Sequence, residues 1–415
     1  MSNFKVDQVR KMFPAMAVDG DQQPLIFLDN PAGTQLPRMV VDAVAEAMIT
    51  ASSNLGGRFP GSIRADEIWQ ASHQAMADML GASSSKEIVI GPSMTNLTLH
   101  ISRSLGRTFN PGDEIIVTRM DHEGDISPWL LLAEDLGLII KWLPFSQDSW
   151  QIEAEDLKSV LTDKTRLLAL NYASNLTGSI NNVAELSSIA REAGALVYVD
   201  AVQLAPHRLI SVNELNCDFL LCSSYKFYGP HLGILWGRES LLEGLHAYRC
   251  RCSSDGLPER FETGTPQTEL LAGLEATVNY FQWLGELCGY SGSRREKITG
   301  AYTVAMEYED KLAAKLIQGL QEIRGVQIHG ITDSSHLQER VPTVSFTHDR
   351  FTTAAIDENL AENRICTWSG HNYAYEVVKQ LGLDEEQGVL RIGIAQYNTE
   401  SEIDKILEVL TDLLK

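Results

Sequence analysis

The chain has 415 residues, 44% of them hydrophobic and 21% charged, enough to bury a large core and, by length, to form about two or three domains. Its formal net charge of −21 argues against nucleic acid and against an anionic membrane surface, both of which would repel it. No uninterrupted apolar segment is long enough to span a bilayer, and Met1 to Met16 lacks the apolar core of a secretory leader, so the expectation is a soluble cytoplasmic protein.

Six cysteines, Cys217, Cys222, Cys250, Cys252, Cys288 and Cys366, stand without secretory context and without paired metal-ligand spacing. Cys250-Arg251-Cys252 is the one close pair, and without a second pair it reads as free thiols, with no metal.

In chain order, short apolar runs alternate with amphipathic stretches. Strands are predicted at Glu87 to Ile90, Asp113 to Val117, Leu138 to Trp142, Arg166 to Leu170, Leu196 to Val199 and Phe219 to Leu221. Helical patterns lie between them, such as Val183 to Glu192, ended by Gly194. The alternation implies a mostly parallel sheet wrapped by helices. Beyond position 290 the texture changes to a long charged helix from Arg294 through Leu320 and strands at Val326 to Ile328 and Thr343 to Phe346. A last amphipathic helix runs from Glu402 to Leu414, and the whole segment reads as a smaller C-terminal domain.

In open sheets of this kind ligands collect at the carboxyl ends of the strands. Lys226, in Ser223-Ser224-Tyr225-Lys226-Phe227-Tyr228-Gly229-Pro230, stands just past one strand end, and Asp200 ends the strand before it. A lysine and an aspartate so placed can hold pyridoxal phosphate. The amine forms a Schiff base with the cofactor aldehyde, and the carboxylate keeps the pyridine nitrogen protonated so that the ring acts as an electron sink. Singly, each has a commoner reading, a solvated lysine or a capping aspartate. Gly91-Pro92-Ser93-Met94-Thr95-Asn96 follows a strand and opens a helix, so its amides and the Thr95 hydroxyl either cradle a phosphate or simply cap the helix.

Four more segments matter: Asp121-His122-Glu123-Gly124-Asp125, Asn171-Tyr172-Ala173-Ser174-Asn175-Leu176-Thr177-Gly178, Arg260-Phe261-Glu262-Thr263-Gly264-Thr265-Pro266, and Leu390-Arg391-Ile392-Gly393. With the lysine segment and the opening string Phe27-Leu28-Asp29-Asn30-Pro31-Ala32-Gly33, they resemble the class V aminotransferases along nearly the whole chain. The likeness is to the branch of cysteine desulfurases and selenocysteine lyases.

The resemblance implies an α/β protein of the type I pyridoxal-phosphate transferase fold, aspartate aminotransferase-like. A large domain, 20–290, surrounds a mostly parallel seven-stranded sheet, and a small α+β domain, 291–415, is joined by residues 1–19. It implies that Ser93, Met94, Thr95 and Ser223 hold the phosphate, that His122 stacks on the ring, and that Asn175 and Gln203 bond its phenolic oxygen. Asp200 is implied at the ring nitrogen and Lys226 as anchor and as acid or base for the α-proton. The backbone at Gly33 is implied on the substrate side, and Arg391 is the guanidinium for the substrate carboxylate. Thr265 is implied to reach the cofactor of a neighbouring subunit, hence a homodimer.

The chain departs from that pattern at three places. The phosphate turn usually reads Gly-Thr-Thr, here Ser93-Met94-Thr95, and Tyr225 stands where a histidine commonly precedes the lysine. Trp368-Ser369-Gly370-His371-Asn372-Tyr373-Ala374 stands where related desulfurases carry Arg-Thr-Gly-His-His-Cys, so Tyr373 replaces the persulfide-forming cysteine and Trp368 the arginine. A tyrosine cannot form a persulfide. The expected activity is therefore that of an enzyme acting on an amino acid by β-elimination (C–S or other), epimerisation or transamination, with Tyr373, His371 and Tyr225 as candidate second acids or bases. The alternatives are a desulfurase using another thiol, such as Cys366, and an inactive cofactor-binding partner protein. Trp368 suggests a more apolar pocket than cysteine needs.

Overall fold

The structure is a computed structural model and describes residues 4–17 and 25–415. Its N-terminal part runs α1 (Val6–Lys11), β1 (Ile26–Phe27), α2 (Arg38–Thr50) and α3 (Pro60–Leu80). There follow β2 (Ile88–Gly91), α4 (Met94–Gly106), β3 (Glu114–Thr118), α5 (Glu123–Leu136), β4 (Ile139–Leu143), α6 (Ala154–Val160), β5 (Thr165–Asn171), α7 (Val183–Glu192), β6 (Leu196–Asp200), β7 (Phe219–Ser223), β8 (Gly233–Gly237), α8 (Glu239–Gly244) and α9 (Thr268–Leu287). The C-terminal part comprises α10 (Arg294–Gln321), β9 (Val326–His329), β10 (Thr343–His348), α11 (Thr353–Glu362), β11 (Ile365–Cys366), β12 (Trp368–Gly370), α12 (Tyr375–Gln380), β13 (Val389–Gly393) and α13 (Glu400–Leu413).

A seven-stranded sheet of order β2-β8-β7-β6-β5-β3-β4 forms the centre, parallel from β7 to β4. Its inner strands are apolar throughout because helices cover both faces. Side chains alternate along each strand: Ile116, Leu168, Val199 and Leu220 enter one buried cluster, while Ile115, Val117, Leu167 and Leu221 enter the other. β8 pairs antiparallel with both β2 and β7, a strand that the apolar pattern did not reveal.

The C-terminal part has an antiparallel sheet, β12-β13-β10-β9, and its own core of Leu316, Val344, Phe346, Leu390, Ile392, Ile403 and Leu410. The α10 helix starts at a capping box, Ser293 with Glu296, which satisfies its first amides. The expected junction at 290/291 falls in the loop between α9 and α10. The one at 19/20 lies outside the described residues, as do Met1, Ser2 and Asn3. Residues 26–29, which that division groups with the large domain, pair with the C-terminal part: β1 runs parallel to β11, and Asp29 bridges to Gly393. Leu28 is buried in the C-terminal core, which is why this stretch goes there. Phe13 packs edge-on against Tyr228, Tyr280 and Tyr397 and so ties the first helix to both parts. Among the described residues no helix is long and apolar enough to cross a membrane.

Candidate active site

The carboxyl ends of β3, β5, β6 and β7 converge on one cavity of about 440 Å³. Asp200 is the last residue of β6, and its Oδ1 accepts the Val202 amide at 2.8 Å. Burial raises its carboxyl to about 6. Ser223 ends β7, and a single 3₁₀ turn, Ser224–Lys226, carries Lys226 into the cavity. Its amine donates to the Pro31 carbonyl and lies 4.9 Å over the Tyr225 ring. Burial, reinforced by the Arg391 charge, lowers this amine to about 7, so at neutral pH a large fraction is unprotonated and nucleophilic.

On the opposite wall α4 opens toward the cavity. Ser93 is its N-cap, Oγ accepting the Asn96 amide at 3.1 Å, and Ser93, Met94 and Thr95 all line the space. The capping and phosphate readings of this turn are compatible: the hydroxyl caps one amide while the helix N-terminus still offers others to an anion. Gly233 is required here, since a Cβ on it would lie 2.2 Å from the Ser93 carbonyl carbon.

His122 caps α5, its Nδ1 accepting the Gly124 amide at 2.8 Å, which leaves the proton on Nε2. Burial, then the charges of Lys226 and Arg391, lowers it to about 4, so the ring is neutral. Beneath it Asp121 and Asp125 are fully buried, and burial raises both carboxyls well above the ordinary range, each with Asp200 as a further cause.

Arg391, in the middle of β13, is 4% exposed. Its guanidinium is held by Asp29 at 3.4 Å and by the Asn175 carbonyl at 3.2 Å, while Nε has no partner. The Asn175 amide nitrogen donates to the Asn372 carbonyl at 2.8 Å and its Oδ1 is unpartnered. Gln203 lines the same wall and donates to Thr343 on β10 at 3.0 Å.

Tyr373 also lines the cavity, but at its mouth: it is 64% exposed and its ring stacks on His122 with centroids 5.4 Å apart. Asn372 and Tyr373 are both left-handed, at φ 52° and 60°, a conformation a tyrosine rarely adopts. The loop is held in it by the Glu123 amide donating to the Tyr373 carbonyl at 2.8 Å and by the bond from Asn175.

Two residues expected at this site, Gly33 and His371, lie outside its lining, and Thr265, expected at a neighbouring subunit's cofactor, lies apart from it. Gly33 is packed against the Tyr225 ring, and its neighbours Pro31 and Ala32 line the cavity instead. His371 faces an outer depression, its Nδ1 accepting the Tyr373 amide at 3.0 Å. Thr265 lines a separate cavity of about 370 Å³ with Glu262 and Gly264. Cys366 on β11 is not in the lining, and burial pushes its thiol up. Asp29 and Asn372 were missed as site residues. Asp29 had a visible signal, an acid in the opening string, whereas Asn372 acts through its backbone carbonyl and had none.

The donor set fits pyridoxal phosphate. It offers an amine, a carboxylate for a ring nitrogen, a flat neutral imidazole, a helix N-terminus for the phosphate and a guanidinium, with Asn175 Oδ1 and Arg391 Nε left unpartnered in the walls.

The family model described as aminotransferase class-V matches residues 26–406. The aminotransferase-like protein FGM3 of Gibberella zeae is 33% identical over 423 residues, covering 100% of this chain and 99% of the relative. A cysteine desulfurase of Pectobacterium atrosepticum is 29% identical, covering 98% and 97%. Among solved structures, the apo cysteine desulfurase of Thermococcus onnurineus superimposes with a TM-score of 0.87 at 28% identity, covering 98% of both chains. The cysteine desulfurase CsdA of Escherichia coli, in its S-sulfonic acid form, gives 0.84 at 26%, covering 99% of this chain and 100% of that one.

Proposed function

The chain belongs to the class V aminotransferases and is a pyridoxal-phosphate-dependent, cysteine-desulfurase-like enzyme; from that premise we propose that it works on an amino acid without persulfide chemistry, by elimination, epimerisation or transamination. The observation that carries this reading is a cavity combining Lys226, Asp200, His122 and Arg391 in which, among the described residues, Tyr373 stands at the mouth and no cysteine lines the wall.

When bound, the cofactor supplies an electron sink that acidifies the substrate α-carbon. Lys226 would hold it covalently through Nζ, the Asp200 carboxylate would sit at its ring nitrogen, and His122 would lie on its face. The phosphate would take the α4 N-terminus with Ser93, Thr95 and Ser223. Asn175 and Gln203 each keep one amide hydrogen for the phenolic oxygen. Arg391, pre-aimed by Asp29, would bind the substrate carboxylate. Lys226, once released, would move the α-proton, its pKa near 7 suiting that exchange at neutral pH. The Tyr373 hydroxyl is the candidate second acid. Cys366, outside the cavity and with a raised thiol pKa, does not favour the alternative-thiol desulfurase.

We also infer a cytoplasmic homodimer whose Thr265 completes the partner's phosphate site. Its position in a second cavity, away from this chain's own Lys226, supports that reading.

The test is α-proton exchange into deuterated water over an amino-acid panel, with the holoprotein and with Lys226→Ala. Exchange without an enzyme-bound persulfide, lost by at least 10³-fold in Lys226→Ala together with its visible lysine-linked absorbance, is the expected result. Stoichiometric persulfide from cysteine would refute the reading.

A further inference from the structure

The cavity continues outward into a depression of about 510 Å³, and Trp368, Asn372 and Tyr373 line both spaces. Trp368 lies directly opposite Arg391 in the β12–β13 ladder. Side chains of such a pair rise from the same face with Cβ atoms about 5 Å apart. An amino acid whose carboxylate is on Arg391 therefore has the Trp368 indole as its neighbour, and its side chain leads out between Trp368 and Tyr373.

These two rings are 56% and 64% exposed. Beyond them the outer wall is made by His371, Tyr375, Glu385 and Glu386, with the Tyr375 hydroxyl donating to Glu385 Oε2 at 2.6 Å. No lysine or arginine lines this outer space among the described residues. Lys379, outside that lining, is 5.9 Å from the Tyr375 ring centroid and is paired with Glu376 at 3.5 Å. At the throat between the two spaces Asn372 is 9% exposed, and its Oδ1 has no partner.

Aromatic faces attract cations, carboxylates attract them more, and an unpaired amide oxygen needs an N–H donor. A short neutral side chain such as that of cysteine would use none of these. Resting on the reading that Arg391 binds an amino-acid carboxylate, we propose that the substrate is an amino acid with a long side chain ending in an amine or guanidinium. The cationic end passes between Trp368 and Tyr373 toward Glu385 and Glu386. Trp368, in the place of the family's arginine, also removes a charge that would repel such a substrate.

The experiment uses the holoenzyme with L-arginine, L-ornithine and L-lysine as probes, against L-norleucine as the neutral match in length and L-cysteine as the short one. Binding is read from the cofactor absorbance and turnover from α-proton exchange. The cationic probes should exceed norleucine by at least 10-fold in exchange kcat/KM. That ratio should fall to below 3-fold in Glu385→Gln/Glu386→Gln, with an intact cofactor band reporting that the variant is folded and loaded. It should also shrink as salt is raised. Norleucine or cysteine exchanging as fast as arginine overturns this inference and leaves the proposed function standing, as does a ratio unchanged in the double variant. Failure of every probe to shift the band or to exchange would overturn both.

Discussion

Asp125 is 1% exposed in the first turn of α5. Burial, then Asp121 and Asp200, hold its carboxyl well above the usual range. Its folded pKa thus exceeds the unfolded value of about 3.9. Between the two the native protein keeps a proton that the unfolded chain has released, so stability falls as pH rises through that window. His122, lowered to about 4, acts in the opposite sense between there and 6.5, but is common to parent and variant. Thermal melts of holoprotein between pH 4 and 9 should therefore lose less Tm with rising pH in Asp125→Asn than in the parent; superimposable slopes would remove Asp125 from the account. At this scale strand-end chemistry made Lys226 and Asp200 legible in the sequence, and the family resemblance added His122 and Arg391. The orienting partners were not, because Asp29 meets Arg391 across 362 positions and Asn372 meets Asn175 across 197.

Among the strands of the seven-stranded sheet, β8 is the one that the pattern hid. Five residues that begin and end on glycine give too little periodicity to separate from a turn. Yet β8 sets where the α4 N-terminus stands, because Gly233 lets the Ser93–Met94 backbone come against the strand. Gly233→Ala would put its Cβ 2.4 Å from the Met94 nitrogen, so backbone has to move. The expected cost is about 1–3 kcal/mol of stability, with weaker cofactor binding, readable as a raised Kd in absorbance titrations. A variant that is destabilised but binds the cofactor as tightly as the parent would show that this contact does not position the phosphate turn. The helices were easier: Val183–Glu192 carries its own stop at Gly194, and Arg294–Gln321 its own capping box.

For the molecule as a whole, Val41, Met48, Ile49, Phe59 and Ile63 leave exposed apolar side chains on α2 and at the start of α3, and the proposed dimer would need such a face. Composite sites have a distinctive genetics. A dimer of one Lys226→Ala and one Thr265→Ala subunit, obtained by co-expression with two tags, carries both defects in one site and none in the other. It should bind one cofactor with parental affinity and show about half the parental exchange activity. If each chain's Thr265 served its own site, no intact site would exist, and tight binding with exchange would be absent.

What the sequence determined by itself is local: strand runs, helix stops, and the chemical identity of the groups at each strand end, all set by neighbouring residues. It also marked Tyr373 as a residue with no sulfur chemistry. Tertiary structure alone decided which of those groups meet. It brought Arg391 from the last strand to within reach of Asp29, set the neutral His122 under Tyr373, and turned His371 and Gly33 out of the cavity. It also joined Trp368 to an acidic vestibule. Such placements depend on strand register and on packing between residues hundreds of positions apart, and no local periodicity encodes them.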